Sequence, residues 1–191
     1  MNKVEEFFDN LASSWDKNEC HTQEEKINLL KKVNLKKGDK VIDIACGTGV
    51  VTGLIHDFTN EEVVGIDISQ NMINIALEKY KNDKWTKFIK KDLYDVNDKF
   101  DVAIIYNAYP HFLDVDKFVN KLNDILNENG TFAILHSLSR KELLSHHKAK
   151  ANNVSRDIEE CYIESEHFKK YFNIILATEN DNSYIIIGKK K

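Results

Sequence analysis

From Lys40 onward the chain alternates short apolar runs with stretches of helical period, and it closes on two strand-like runs with only four residues between them. The run VIDIA at 41–45 precedes a predicted helix over 49–58. VVGID at 63–67 precedes another, after Ser69, on which Met72, Ile73, Ala76, Leu77 and Tyr80 share a face. Strands are predicted at 87–89 and 101–105. A helix then opens near Asp114 with Val115, Phe118, Val119, Leu122, Ile125 and Leu126 on one stripe and Gly130 just past its end. A fifth strand follows over 131–136. Such alternation requires parallel strands joined by crossover helices. The last two strands, about 172–178 and 183–188, are too close for a crossover and demand a hairpin. The expected class is therefore α/β, with a doubly wound sheet that ends in an antiparallel pair.

Before Lys40 the pattern is helical only. Val4, Phe7, Phe8 and Leu11 fall at i, i+3, i+4 and i+7, with Trp15 behind them. Thr22 and Glu25 have capping-box spacing ahead of Ile27, Leu30 and Val33, and Gly38 and Asp39 turn the chain. The same capping spacing recurs at Ser139 and Glu142, opening a helix through Leu143, Leu144 and His147, and a shorter helical stretch is predicted over 164–171.

At 191 residues the chain has the length of one ordinary domain, read as a helical cap at 1–37 on a ligand-binding core at 38–191. A net charge of −4 gives a mildly acidic surface, which does little to attract a nucleic-acid backbone, so no nucleic-acid partner is expected. The three cysteines share no close spacing, which points away from a disulfide framework or a zinc ribbon. The amino-terminal MNKVEEFFDN carries acids where a signal peptide needs an apolar core, and no apolar run approaches ~20 residues. A cytoplasmic protein without a membrane span is expected.

In an open parallel sheet the ligand lies beyond the carboxyl ends of the strands. The first strand runs into Asp43, Ile44, Ala45, Cys46, Gly47, Thr48 and Gly49, a carboxylate followed by a loop small enough for close backbone approach. The second ends in Asp67, placed to accept hydrogen bonds from both hydroxyls of a ribose. Together they suit a nucleoside cofactor. The nicotinamide fingerprint asks for a third small residue three places after its second glycine, where this chain has Thr52.

The DxACGTG form around Asp43, with the closing hairpin, resembles the seven-strand class I S-adenosylmethionine-dependent methyltransferases. The replacement of the first family glycine by Ala45 and the segment FFDNLASSWD are similar to the ubiquinone and menaquinone biosynthesis branch of that family. The resemblance implies a Rossmann-like sheet in the order 3-2-1-4-5-7-6 with strand seven antiparallel. It also implies that S-adenosylmethionine is bound and S-adenosylhomocysteine released. The loop of Ala45, Cys46, Gly47 and Gly49 would wrap the methionine part, with Asp43 at its base, and Asp67 would hold the ribose. Ile68 and Met72 would flank the adenine, Asp92 with Leu93 would read its amino group, and Tyr106, Asn107 and Ala108 would face the methionine end and the substrate. Trp15 would help close the pocket. The segment YNAYPHF lies where nucleic-acid amino methyltransferases carry two prolines, and Ala108 and Tyr109 replace both.

Methyl transfer asks the protein chiefly for alignment, and for a base where the acceptor must lose a proton. His111 after the fourth strand and His136 at the end of the fifth are the candidate catalytic bases, predicted to converge at the ligand edge. Both are equally open to reading as surface or capping histidines. If His147 joined them, three imidazoles could hold a zinc ion with one position open. The acceptor is expected to be a small molecule of unspecified reacting atom, and the protein a monomer or a homodimer. A nicotinamide-dependent oxidoreductase and a noncatalytic nucleoside-cofactor-binding protein are the competing readings.

Overall fold

A computed structural model of the protein describes residues 3–18, 20–146 and 154–191. Its strands are β1 (Val41–Ile44), β2 (Val63–Asp67), β3 (Thr86–Lys90), β4 (Phe100–Tyr106), β5 (Leu126–His136), β6 (Phe172–Asn180) and β7 (Ser183–Lys190). They form one seven-stranded sheet in the order β3-β2-β1-β4-β5-β7-β6, the order and Rossmann-like class expected from the sequence. β2 runs parallel to β1 and β3, β5 runs parallel to β4, and β7 is antiparallel to both β5 and β6. All four residues of β1 are buried, as a strand covered on both faces must be, which is why VIDI reads as a continuous apolar run broken only by Asp43.

The chain divides into two compact units, Met1–Val96 and Asn97–Lys191. The first contains α1 (Lys3–Trp15), α2 (Gln23–Leu30), α3 (Thr52–Thr59) and α4 (Gln70–Lys79) with β1, β2 and β3. Thr22 caps α2 through the full capping box with Glu25. α3 starts three residues later than its periodicity suggests, because Gly47 and Gly49 have positive φ, which no right-handed helix accommodates. Met72, Ile73 and Ala76 are buried on α4 as expected, whereas Leu77 is 49% exposed, one position round from the packed stripe.

The second unit holds the other four strands with α5 (Val115–Ile125), α6 (Arg140–His146) and α7 (Cys161–Glu164). Its core is aromatic: Phe132 stacks on Phe168 at 4.5 Å and meets Phe172 edge-on at 4.9 Å. α5 ends one residue earlier than its stripe predicts. Leu126 already pairs opposite Phe100, and the next pair is Val102 with Thr131, so the intervening residues bulge out. Asn129, at φ 62°, takes the left-handed position expected of Gly130. The helical stretch predicted over 164–171 is instead α7 followed by a 3₁₀ turn, Ser165–Phe168. Ser139 and Glu142 do cap α6 reciprocally, and the hairpin loop shrinks to Asp181 and Asn182, a two-residue connection. Among the described residues no helix is long and apolar enough to cross a membrane.

Candidate functional site

Three consecutive-but-one residues after β1, Ala45, Gly47 and Gly49, hold φ of 56°, 55° and 79°, so the chain leaves the strand in a left-handed coil. Cys46 N–H donates to the Ile66 carbonyl and Gly49 N–H to the Cys46 carbonyl, which fixes the coil to β2 and to itself. The two glycines have different reasons. A Cβ on Gly49 would lie 2.7 Å from Phe88, so packing alone forbids it, and Tyr80 adds a hydrogen bond to the Gly49 carbonyl. A Cβ on Gly47 would meet only the indole nitrogen of Trp15, at 3.7 Å, so this glycine keeps an open face beneath the end of α1. The Cys46 thiol turns inward against Ile73, Ala76 and Phe88, where burial pushes its pKa well up. Only its backbone remains for a ligand.

Asp43 is buried at the base of this coil. Its Oδ2 accepts the Thr52 hydroxyl at 2.6 Å, while Oδ1 is buried without a hydrogen-bond partner among the described residues. Burial pushes the Asp43 carboxyl up to about 7, against the Thr52 hydrogen bond and with the help of nearby Asp67. Thr52 thus does specific work at the position where a dinucleotide fold needs a small residue.

Asp67 ties the coil to α4. Its Oδ2 accepts Gly47 N–H at 2.9 Å and its Oδ1 accepts Ser69 N–H at 2.8 Å, and burial raises its pKa against both bonds. An ionised carboxylate has about four lone-pair positions, so each oxygen keeps capacity for a hydroxyl donor. Ser69 caps α4 by accepting Met72 N–H. Ile68 is half-buried beside it, and Met72 and Leu93 are buried. Asp92, half-buried after β3, accepts Tyr94 N–H and so starts the 3₁₀ turn Leu93–Asp95.

Two carboxylates of the amino-terminal segment complete this unit, and neither is among the predicted site residues. Asp9 accepts the Ser69 hydroxyl at 2.6 Å and Asn71 N–H at 3.0 Å, bonds that hold its carboxyl below the usual range. Asp16 accepts the Thr48 hydroxyl and pairs with Lys79 at 2.7 Å. The signal that could have found them is their spacing: seven residues apart, each directly after an aromatic residue of the apolar stripe, Phe8 and Trp15. They fasten α1 to the glycine coil and to the start of α4.

In the second unit β4 is likewise followed by a left-handed residue, Asn107 at φ 52°. Its amide is spent within the unit: Nδ2 donates to the Ser137 hydroxyl at 2.8 Å and Oδ1 accepts Ser137 N–H at 2.9 Å. Tyr106 and Ala108 beside it are buried. The 3₁₀ turn Tyr109–His111 follows. His111 is half-buried, with Nδ1 2.9 Å from the Val154 carbonyl. A carbonyl only accepts, so Nδ1 carries the proton and the lone pair of the neutral ring lies on Nε2. His136 is fully buried and faces the Tyr184 ring edge-on at 6.0 Å. His147 lies outside the described residues, and among the described residues no three metal-ligating side chains cluster.

The turn is held from a distance. Glu164, 1% exposed, accepts the Tyr109 hydroxyl at 2.7 Å, Arg156 Nη2 at 2.5 Å and Glu159 N–H at 2.9 Å. Burial opposes ionisation of Glu164, yet these three donors hold its carboxyl below the usual range. Arg156 and Glu164 are not among the predicted site residues: Arg156 lies in a segment without hydrophobic period, and Glu164 at the edge of the stretch predicted as helical, with no motif to mark either.

A family model described as a methyltransferase domain matches residues 35–184. The chain is 27% identical over 145 residues to the demethylmenaquinone methyltransferase of Staphylococcus carnosus, a match covering 71% of this chain and 60% of that one. The chain therefore spans about 60% of the length of this curated relative. Among solved structures it is similar to a SAM-dependent methyltransferase from Aquifex aeolicus, with a TM-score of 0.75 at 15% identity over 94% of this chain and 98% of that one. It is also similar to phosphoethanolamine N-methyltransferase 2 of Haemonchus contortus in complex with S-adenosyl-L-methionine, with a TM-score of 0.78 at 15% identity over 100% of this chain and 60% of that one. At that identity the two structures show a shared fold.

Proposed function

The chain belongs to the methyltransferase-domain family, and from that premise we propose that it is an S-adenosylmethionine-dependent methyltransferase acting on a small-molecule acceptor, with 1–191 working as a single domain capped by 1–37. The observation that carries the reading is the glycine coil after β1, whose open Gly47 face, orphaned Asp43 Oδ1 and bridging Asp67 are chemically suited to this cofactor. Asp67 would hold the ribose hydroxyls. The backbone of Ala45, Cys46 and Gly47 would take the methionine part, Ile68 and Asp92 the adenine, and Trp15 would cover it. Met72 and Leu93, being buried, would support that adenine site from behind. When bound, S-adenosylmethionine supplies an electrophilic methyl carbon whose bond to sulfur breaks as an acceptor lone pair arrives, the bonding electrons staying on sulfur.

Alignment of the acceptor is then the protein's main contribution. For a hydroxyl, thiol or ammonium acceptor, His111 would take the proton at Nε2, because its Nδ1 is already protonated toward Val154. His136, the other candidate base, is fully buried and would act as a base only in a conformation that exposes its ring. The acidic surface supports a small acceptor over a nucleic acid, and the expected setting is cytoplasmic, as a monomer or homodimer.

Calorimetry with S-adenosylhomocysteine tests the cofactor assignment. Loss of two hydrogen bonds to a charged acceptor, at ~1.5 kcal/mol each, corresponds to about 100-fold weaker binding in Asp67→Ala. Undiminished affinity in that variant removes the ribose role, and no binding by the parent protein removes the whole reading. Thiols, phenols, quinols and amines offered with S-adenosylmethionine, with detection of the S-adenosylhomocysteine product, identify the acceptor.

A further inference from the structure

We propose that Arg156 and Glu164 are positioning residues for His111: their ion pair holds the Val154 carbonyl where it accepts the hydrogen bond from Nδ1–H, and so decides which imidazole nitrogen bears the lone pair. The proposal rests on the role given to His111 above, but the arrangement it concerns is complete within the second unit.

The segment 154–156 and the turn around His111 are joined at alternate residues. His111 Nδ1 donates to the Val154 carbonyl, Arg156 N–H donates to the Pro110 carbonyl at 2.9 Å, and Arg156 Nε donates to the Phe112 carbonyl at 3.3 Å. Arg156 therefore grips the residues on both sides of His111, while Val154, two residues before it, grips His111 itself. The guanidinium carbon also lies 4.7 Å from the centre of the Tyr109 ring, and Nη2 reaches Glu164. Only a planar fork can serve a carbonyl, a carboxylate and a ring face together, which a lysine ammonium on one flexible stem cannot.

Glu164 is the fixed end of this lever. Its two oxygens take three donors, from Arg156, from the Tyr109 hydroxyl and from Glu159 N–H, so both the turn and the segment are referred to one buried carboxylate. A buried ion pair contributes little net stability beyond what apolar side chains of the same volume would give, because desolvation offsets the attraction. What such a pair supplies here is direction. Without it the imidazole can exchange its Nδ1 proton for one on Nε2, the tautomer in which Nε2 donates and only Nδ1 can accept.

Imidazole nitrogen NMR on protein carrying ¹⁵N-histidine reads the tautomer directly, at a pH where the rings are neutral. The parent is expected to show His111 protonated at Nδ1 and unprotonated at Nε2. The double variant Arg156→Met, Glu164→Gln removes both charges together and leaves none buried alone; the Nδ1-protonated fraction should fall by about half. Arg156→Lys, which leaves Glu164 a cation, should give a smaller fall in the same direction. His56, whose Nδ1 lies 2.9 Å from the Glu61 carbonyl in the first unit, is the internal control for folding. An unchanged His111 signature in the folded double variant overturns the proposal. Should that variant not fold, Arg156→Lys decides: a fraction equal to the parent's overturns the proposal and a reduced one supports it. Neither readout requires turnover, so a failure here is separate from a failure to bind S-adenosylhomocysteine.

Discussion

The turn after β1 and the turn after β4 begin alike and are held differently. Each leaves its strand through a non-glycine residue in the left-handed region, Ala45 at φ 56° and Asn107 at φ 52°. The first is held by two glycines, by backbone bonds to β2 and by Asp67 at the end of the adjoining strand, with Tyr80 and Asp16 reaching it from 31 and 32 residues away. The second is stabilised from far along the chain, through Ser137 and through an Arg156–Glu164 pair reaching back to Tyr109, Pro110 and Phe112. The supports of the second turn reach up to 55 residues along the chain, from Tyr109 to Glu164, against 32 for the first, from Thr48 to Asp16.

The contrast is broken most severely by Glu164→Ala. That change leaves the Arg156 guanidinium in a largely buried place without its counter-charge, and removal of one partner of such a pair costs about 3–5 kcal/mol. Urea unfolding should show a loss of that order. Asp16→Ala, at a pair whose side chains are 34% and 40% exposed, should cost at most about 1 kcal/mol. Equal losses would mean that the two turns are supported alike.

pH separates the two regions with opposite sign. The Asp43 carboxyl is raised to about 7 in the folded protein, chiefly by burial, from about 4 in an unfolded chain. Between those values the folded state keeps a proton that the unfolded state has lost, so stability falls as pH rises through that window, by roughly 4 kcal/mol at the upper bound. Glu164 is lowered, so its contribution is present above the ordinary glutamate range and is lost as pH falls through the folded value. Denaturant unfolding at several pH values, on the parent and on Asp43→Asn, should show the variant more stable relative to the parent at pH ~8 than at pH ~5. A difference independent of pH would remove the Asp43 assignment.

The same division explains what could be read without coordinates. The strands and the closing hairpin follow from hydrophobic period and gap length, quantities local to each segment, whereas the strand order is legible only through the family resemblance. Asp43, Gly47, Gly49 and Asp67 are legible because the coil they build spans few residues and adjoins a strand on either side. Asp9 lies on the polar edge of α1 and Asp16 in the turn just after it, where a solvated acid and one that reaches another element look the same unless their seven-residue spacing is weighed. The pairing of Arg156 with Glu164 is not legible: an ion pair between a nonperiodic segment and the end of a short helix has no spacing rule. Leu126 differs from expectation because the helical stripe runs past the end of α5, and Leu77 because it lies one position round from the stripe that packs.

The smallest effect is the most discriminating, because one substitution should change sign between the two turns. In Ala45→Gly the left-handed backbone loses its Cβ penalty of about 1–2 kcal/mol, partly offset by the ~0.5–1 kcal/mol of extra freedom that glycine gives the unfolded chain. The net expectation is a gain of ~0.5–1 kcal/mol in unfolding free energy. In Asn107→Gly there is little penalty to relieve, since asparagine tolerates this region, and the two bonds with Ser137 are lost, leaving the Ser137 N–H without its acceptor. That variant should lose about 1–2 kcal/mol. Paired urea titrations decide the matter: if Asn107→Gly also stabilises, the Ser137 link carries no load and the second turn is as locally determined as the first.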